Sequence, residues 1–486
     1  MDSARWSGRI WIGGEWREGR DGERPLVSPA TGEQLGTIGY ASAEDVDEAV
    51  SIATKAQKDW ATTPFDERAS ILRRAGNMFL EHVEDIKDWL AAESGSARFK
   101  GARESGLGAA ECYEAAALAG MPFGDVLRTN EPRLSFTRRL PVGVVGVIAP
   151  FNAPIILSIN SVAPALALGN AVILKPDYRT SVSGGVTLAT VFEAAGLPKG
   201  LLQVLPGRGS VVGEAMITHP GIPVISFTGS TAVGRRVGAL AAEHLKRIHL
   251  ELGGNNAMIV MSDVDIEGAV SVAAAGSFVH AGQLCVATGR HIVHESIADE
   301  YAARLVAHAE ALTIGDPAGP DPVMLGPIID AKQRDSIHRI VTATVEVGGK
   351  LLTGGTYEGN FYRPTVIDHV TPKHAAFREE IFGPVAPITR FSTLEEAAAL
   401  ASDSEYGLSL AILTPNLSNA LALSALIPSG MIHVNDQTAV DEPQAPFGGV
   451  RASGTGARHG SHAANLEAFT EIQWMTLRSD LARYPF

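Results

Sequence analysis

Two residues of this 486-residue chain have the types and setting of a covalent-catalysis pair. Cys285, one of two cysteines, closes the run Gly282-Gln283-Leu284-Cys285, and Glu251 opens Glu251-Leu252-Gly253-Gly254-Asn255-Asn256 at the end of an apolar stretch. A thiol attacks carbon as the thiolate, and an unperturbed cysteine, with a pKa of about 8.5, is mostly protonated at neutrality. A thioester formed on it needs a general base for hydrolysis. Glu251 interrupts the strand-like Ile248-His249-Leu250, and burial there raises a carboxyl pKa toward the range that suits such a base. Each residue has an ordinary reading as well: a lone cysteine is commonly a small buried hydrophobe, and a strand-end carboxylate commonly takes backbone donors. Gln283 and Gly282 are poor core neighbours, which weights Cys285 toward chemistry.

Other candidates lie at strand ends. Asn152 follows an apolar run and sits between Pro150 and Pro154, where a fixed amide can donate to a developing oxyanion or simply make a turn. Lys175-Pro176 ends the next run, in reach of ribose or phosphate oxygens or of solvent. Phe227-Thr228-Gly229-Ser230-Thr231-Ala232-Val233-Gly234 presents small residues at a helix start, an anion site or a capped helix. Gly207-Arg208-Gly209-Ser210-Val211-Val212-Gly213 has one residue too many between its last glycines for a dinucleotide fingerprint, so it reads as a tight turn. His280 precedes Cys285 closely enough to suggest a Cys–His hydrolase, although sequence distance is not contact.

These residues need elements to position them. From Val144 onward, β-branched runs (Val144–Ile148, Ala171–Leu174, Leu201–Leu205, Val224–Phe227, Ile248–Leu252) alternate with helical segments (Pro154–Leu168, Val182–Ala195, Val211–Thr218, Ala232–Ala242). This is the pattern of βαβ units and a parallel sheet, with ligands at the carboxyl ends of the strands. A second α/β stretch begins with strands Asn256–Met261 and Arg290–Val293 around a helix Ile266–His280, which puts Cys285 on a loop beyond that helix. The first 125 residues read as scaffold without chemistry, with short strands, a helix from Ala43 capped by Ser42, and helical periodicity over Phe65–Glu93 and Gly106–Leu118. Leu134–Leu140 and Phe469–Leu477 are outlying strands that suggest an edge shared between subunits.

Apolar residues make up 45% and charged residues 19%, and the net charge of −14 argues against a nucleic-acid partner. Two cysteines make no disulfide framework, and no spacing suggests a metal site. The N-terminus lacks signal-peptide character, and the apolar stretches Val162–Leu174 and Ala269–Ala281 are too short for a membrane span. A cytoplasmic protein without a membrane partner is expected.

Seven pieces in order, Pro150-Phe151-Asn152, Lys175-Pro176, Phe227–Thr231, Glu251–Gly254, Gly282–Cys285, Glu379–Val385 and Pro446-Phe447-Gly448-Gly449, resemble the aldehyde dehydrogenase superfamily over nearly the whole chain. The resemblance implies an α/β fold with a Rossmann-like NAD(P)-binding domain (1–123 and 143–251), an α/β catalytic domain (252–449) and oligomerisation strands (124–142 and 466–486), assembled as a homodimer or homotetramer. It gives Cys285 the attack on the aldehyde, Asn152 and the Cys285 backbone N–H the oxyanion, and Glu251 the water. Lys175 and Glu380 would hold ribose hydroxyls, Gly229 and Ser230 the pyrophosphate, and Phe382 would pack near the nicotinamide ribose. Many relatives carry Lys where Asn255 stands, and many NAD-selective ones carry Glu where Tyr178 stands. Arg179 beside it could pair with a 2′-phosphate, so NAD or NADP is expected. The sequence is most similar to the benzaldehyde and vanillin branch, with a pocket of Phe151, Leu157, Asn160, Leu284, Val286 and Phe447, where the Asn160 amide either meets a ring hydroxyl or faces solvent. The alternatives are an aliphatic aldehyde or semialdehyde dehydrogenase; a semialdehyde needs a distal cation, and Arg290 and Arg451 flank the motifs without either being clearly placed for it. A CoA-acylating enzyme is disfavoured because Glu251 is kept.

Overall fold

The computed structural model describes residues 3–485; Met1, Asp2 and Phe486, at the outer ends of the expected segments, lie outside them. Burial on both faces explains the unbroken apolar runs of the first sheet, since every residue of Val144–Ile148 and Ala171–Lys175 is buried. Its five parallel strands run in the order Arg247–Glu251, Val224–Thr228, Val144–Ile148, Ala171–Lys175, Leu202–Val204, extended antiparallel by Arg9–Ile12 and Glu15–Glu18. Helices Ala43–Thr62 and Ile156–Ala167 pack on Ala171–Lys175. The first of these starts as expected at Ser42, whose hydroxyl accepts from the Asp45 amide while the Asp45 carboxylate takes the Ser42 amide.

The second sheet has the order Lys350–Thr353, Thr365–Asp368, Val385–Phe391, Thr288–His294, Asn256–Val260, Ser409–Leu413, Met431–Val434, parallel except at its first pair. A third sheet joins Val126–Leu127, Leu134–Pro141 and Thr470–Leu477 antiparallel, pairing Arg138 with Gln473. It leaves Val126, Leu134, Ile472, Trp474 and Leu477 exposed. No helix among the described residues is long and apolar enough to cross a membrane.

The structure moves several expected boundaries. The helices expected over Val182–Ala195 and Val211–Thr218 open with wide π-helical turns at Val182–Val186 and Gly209–Gly213. The helix expected to reach His280 stops at Phe278, because His280, Ala281 and Gly282 all take positive φ (53°, 52° and 67°). Left-handed backbone is costly for a residue with a Cβ and persists only where surroundings enforce it. That reversal of the chain delivers the Cys285 loop.

Candidate active site

The loop carrying the thiol is clamped from beneath. The Asn256 side-chain amide donates to the Cys285 carbonyl and the Ala287 carbonyl, both at 2.8 Å, and its oxygen accepts from the Ser409 amide at 2.9 Å. Gly254 leaves room for this arrangement, since a Cβ there would stand 2.6 Å from the Cys285 carbonyl oxygen. Gln283, expected to be misplaced in a core, is in fact fully buried. Its amide nitrogen donates to the His280 and Pro327 carbonyls, and its oxygen accepts from Ile329 N–H at 2.9 Å. A buried amide with its capacity met serves as a staple between loops.

Asn152 lies at the carboxyl end of the central strand and is 3% exposed. Among the described residues its side-chain amide has no hydrogen-bond partner, while its backbone carbonyl accepts from Lys100 Nζ at 2.8 Å. Lys100 pairs with Glu104, which also takes the Ile155 amide at 2.8 Å. The helix Arg98–Leu118 therefore fixes the Asn152 turn and supplies Phe99, Arg103 and Leu107 to the cavity wall. This corrects the expectation that the first 125 residues carry no site. Helical periodicity alone did not say which face would meet a cavity.

Two cavities meet at the thiol. One, of about 230 Å³, is mainly apolar, with Leu157, Leu284, Val286 and Phe447 in its wall. The other, of about 210 Å³, is lined by Gly229, Ser230, Gly253, Gln333, Glu380 and Phe382. Cys285, Asn152 and Leu157 line both, so one sulfur faces the two chambers. Burial and the negative charges of Glu380, Glu251 and Asp441 push the Cys285 thiol well above its ordinary range, so it is protonated at neutrality. Cys112 is fully buried.

Glu251 is 3% exposed and neither carboxylate oxygen has a hydrogen-bond partner among the described residues. Burial drives its pKa well above the carboxylate range, with the Arg458 guanidinium acting in the other direction. The carboxylate lies against Gly448, where a Cβ would stand 2.6 Å from Oε1. Glu251 is not in the wall of either cavity.

The second chamber has the chemistry of a dinucleotide site. Ser230 caps the helix Thr231–Glu243, accepting from the Val233 amide, so the positive end of that helix faces the cavity. Glu380 accepts from the Gly254 amide at 2.9 Å, and burial pushes its carboxyl up to about 7. Gly253 admits it, because a Cβ there would collide with the Glu380 carboxylate. Lys175 is buried at its strand end, bonded to the Pro176 carbonyl and absent from the cavity wall. Tyr178 is 48% exposed.

Three expected residues stand elsewhere. Phe151 belongs to the second chamber, edge-on to Phe382 at 5.9 Å and 4.3 Å beneath the Arg179 guanidinium. Asn160 lies in the helix Ile156–Ala167 one turn beyond Ile156 and Leu157, is buried, accepts from the Ser161 hydroxyl, and is not among the residues of either wall. Arg179 is already engaged, bonding Asp177 through Nε and Nη2 at 2.9 Å each and Asp330 at 2.6 Å. Arg290 and Arg451 are also structural: Arg290 donates to the Asn255, Leu400 and Ala401 carbonyls, and Arg451 to those of Ser402 and Ser404. His280 is buried with neither ring nitrogen bonded and lines neither chamber, so it is no partner for the thiol.

Gln333 and the Lys100–Glu104 pair were invisible in sequence, being polar residues of regular helices without a local motif to mark them, while Asn256 lay within the glycine-pair motif but its clamping of the thiol loop was not legible there.

Comparison with known proteins agrees with this arrangement. The model of the aldehyde dehydrogenase family matches residues 16–475. The chain is 56% identical over 486 residues to a vanillin dehydrogenase of an Amycolatopsis species, covering 100% of this chain and 99% of the relative. It is 48% identical over 482 residues to an NAD(+) benzaldehyde dehydrogenase of Pseudomonas putida, covering 99% and 98%. The solved structure of a betaine aldehyde dehydrogenase from Staphylococcus aureus in complex with NAD+ superposes with a TM-score of 0.95 at 29% identity, covering 99% of this chain and 96% of that one. Two chambers sharing a clamped thiol, on a chain matched from end to end by these enzymes, place this protein in the aldehyde dehydrogenase family.

Proposed function

We propose that this enzyme oxidises an aromatic aldehyde to its carboxylic acid with NAD(P) as hydride acceptor. The observation that carries this reading is the single sulfur shared by an apolar chamber and a chamber built for a dinucleotide. The apolar chamber receives the ring, with Leu157, Leu284, Val286 and Phe447 as its flanks. The vanillin and benzaldehyde activities named for the relatives support the same substrate class.

Cys285 gives up its thiol proton to water, Sγ adds to the aldehyde carbon, and the charge that forms on oxygen is met by the Asn152 amide and the Cys285 backbone N–H. A nicotinamide in the second chamber would supply a positive charge that favours the thiolate and an acceptor for the hydride, and the acyl group would remain on Sγ as a thioester. Glu251 then removes a proton from the water that releases the acid, which requires its side chain to turn from Gly448 toward the thioester. Gly229 and Ser230 would hold the pyrophosphate, Glu380 the ribose hydroxyls, with Lys175 joining it once its ammonium leaves the Pro176 carbonyl, and Phe382 would pack on the nicotinamide side. Tyr178 and Arg179 flank the adenosine end.

We infer a preference for NAD, because Asp177 and Asp330 offset the Arg179 charge and engage three of its five N–H donors, leaving it poorly placed to attract a 2′-phosphate. The exposed apolar residues of the third sheet pair two copies into a homodimer, or two such pairs into a homotetramer. A parallel assay of benzaldehyde, vanillin and hexanal with each cofactor tests the reading, and a clear preference for hexanal rejects the aromatic assignment. An aldehyde with a distal carboxylate is the second reading, favoured only by Arg103 in the apolar chamber.

A further inference from the structure

The apolar chamber contains a charged pair that the chemistry above does not use. Asp441 and Arg103 both line it, in a wall that also holds Phe99, Leu107, Phe447 and the Lys100–Glu104 pair. The negative charge of Asp441 is felt at the Cys285 sulfur, so the carboxylate and the thiol face a common space. No side chain among the described residues hydrogen-bonds to Asp441; its one protein donor is the backbone N–H of Glu442. Burial pushes its carboxyl up to about 6, with Arg103 acting in the opposite sense, and it is anionic at neutral pH. A half-buried carboxylate in a mainly apolar wall with open lone pairs is costly, and a ligand O–H aimed at it relieves the cost.

We propose that Asp441 is a specificity-determining residue that accepts a hydrogen bond from a hydroxyl on the aromatic ring of the aldehyde, with Arg103 beside it. The inference rests on the aromatic reading of the same chamber and takes over the role expected of Asn160. A ring hydroxyl fits better than a ring carboxylate because the Asp441 carboxylate in the same wall would repel a second anion, while Lys100 is already paired with Glu104. Phe99, 45% exposed, offers an aromatic face for the ring that carries the hydroxyl.

The test is kcat/KM of the full-length enzyme for 3- and 4-hydroxybenzaldehyde and for 4-methoxybenzaldehyde, which keeps the oxygen but lacks the donor. Wild type should favour a hydroxylated substrate over the methoxy one by about tenfold or more, the range of a hydrogen bond to a charged acceptor. In Asp441→Ala and Asp441→Leu that ratio should collapse to about twofold, with the loss in KM. An unchanged ratio in both variants overturns the proposal, as does a wild type that does not distinguish hydroxyl from methoxy. A wild type that oxidises hexanal but none of the aromatic aldehydes rejects the underlying reading instead, before any variant is compared.

Discussion

Asn256 holds the reactive loop by a single amide, and replacing it tests how the thiol is positioned. Its two N–H groups satisfy the Cys285 and Ala287 carbonyls at 2.8 Å, and its oxygen satisfies the Ser409 amide. At 3% exposure the side chain excludes water from these partners. Asn256→Ala leaves three backbone groups unpaired, each costing about 1–3 kcal/mol where water cannot replace the bond. Asn256→Asp keeps the acceptor for Ser409 but turns oxygen lone pairs toward two carbonyl oxygens. If only about 1.4 kcal/mol of this cost is relieved by displacement of the loop, the competent population falls about tenfold. Both variants should therefore lose at least about tenfold in kcat with benzaldehyde and melt several degrees lower. Titrating Cys285 with a thiol reagent counts the folded sites, so that kcat is expressed per competent thiol. Variants within twofold of wild type in kcat per thiol, with unchanged melting, would refute the clamp.

Four further outcomes follow from the same geometry. Glu251→Gln should retain a burst of about one reduced cofactor per site while steady turnover drops by about 10²–10⁴, read by stopped-flow absorbance; loss of the burst would mean that Glu251 acts before the thioester forms. Because burial raises the Glu251 pKa, its base form appears only as pH rises, so the deacylation rate should climb through a limb above the ordinary carboxylate range, and a flat profile from pH 5 to 8 contradicts it. Glu380, pushed up to about 7, becomes the stronger acceptor for a ribose hydroxyl as it ionises. Cofactor affinity should tighten from pH 6 to 8 and lose that dependence in Glu380→Gln, as measured by fluorescence titration. Iodoacetamide should label Cys285 and spare the buried Cys112, with faster labelling once oxidised cofactor supplies positive charge beside the thiol; equal labelling of both cysteines would count against the geometry.

The sequence by itself marked Cys285, Glu251 and Asn152 as candidates for the chemistry and determined the layered α/β plan. Fully buried strands must be continuous apolar runs, and catalytic residues at their ends are flanked by glycines that let backbone and carboxylate approach, as Gly253 does for Glu380 and Gly254 for Cys285. Ser42, Ser230 and the strand alternation from Val144 onward are local signals, and local signals survive in one dimension. Only the tertiary structure decided which side chains share a wall. It moved Phe151 to the dinucleotide chamber, set Asn160 one helical turn beyond the apolar wall, and committed Arg179 to Asp177 and Asp330. It also brought Arg103 and Asp441 together from opposite ends of the chain. Such pairings depend on the rotation of a helix about its axis and on the return of a distant loop, which are set by packing across the whole core and leave no mark at either residue.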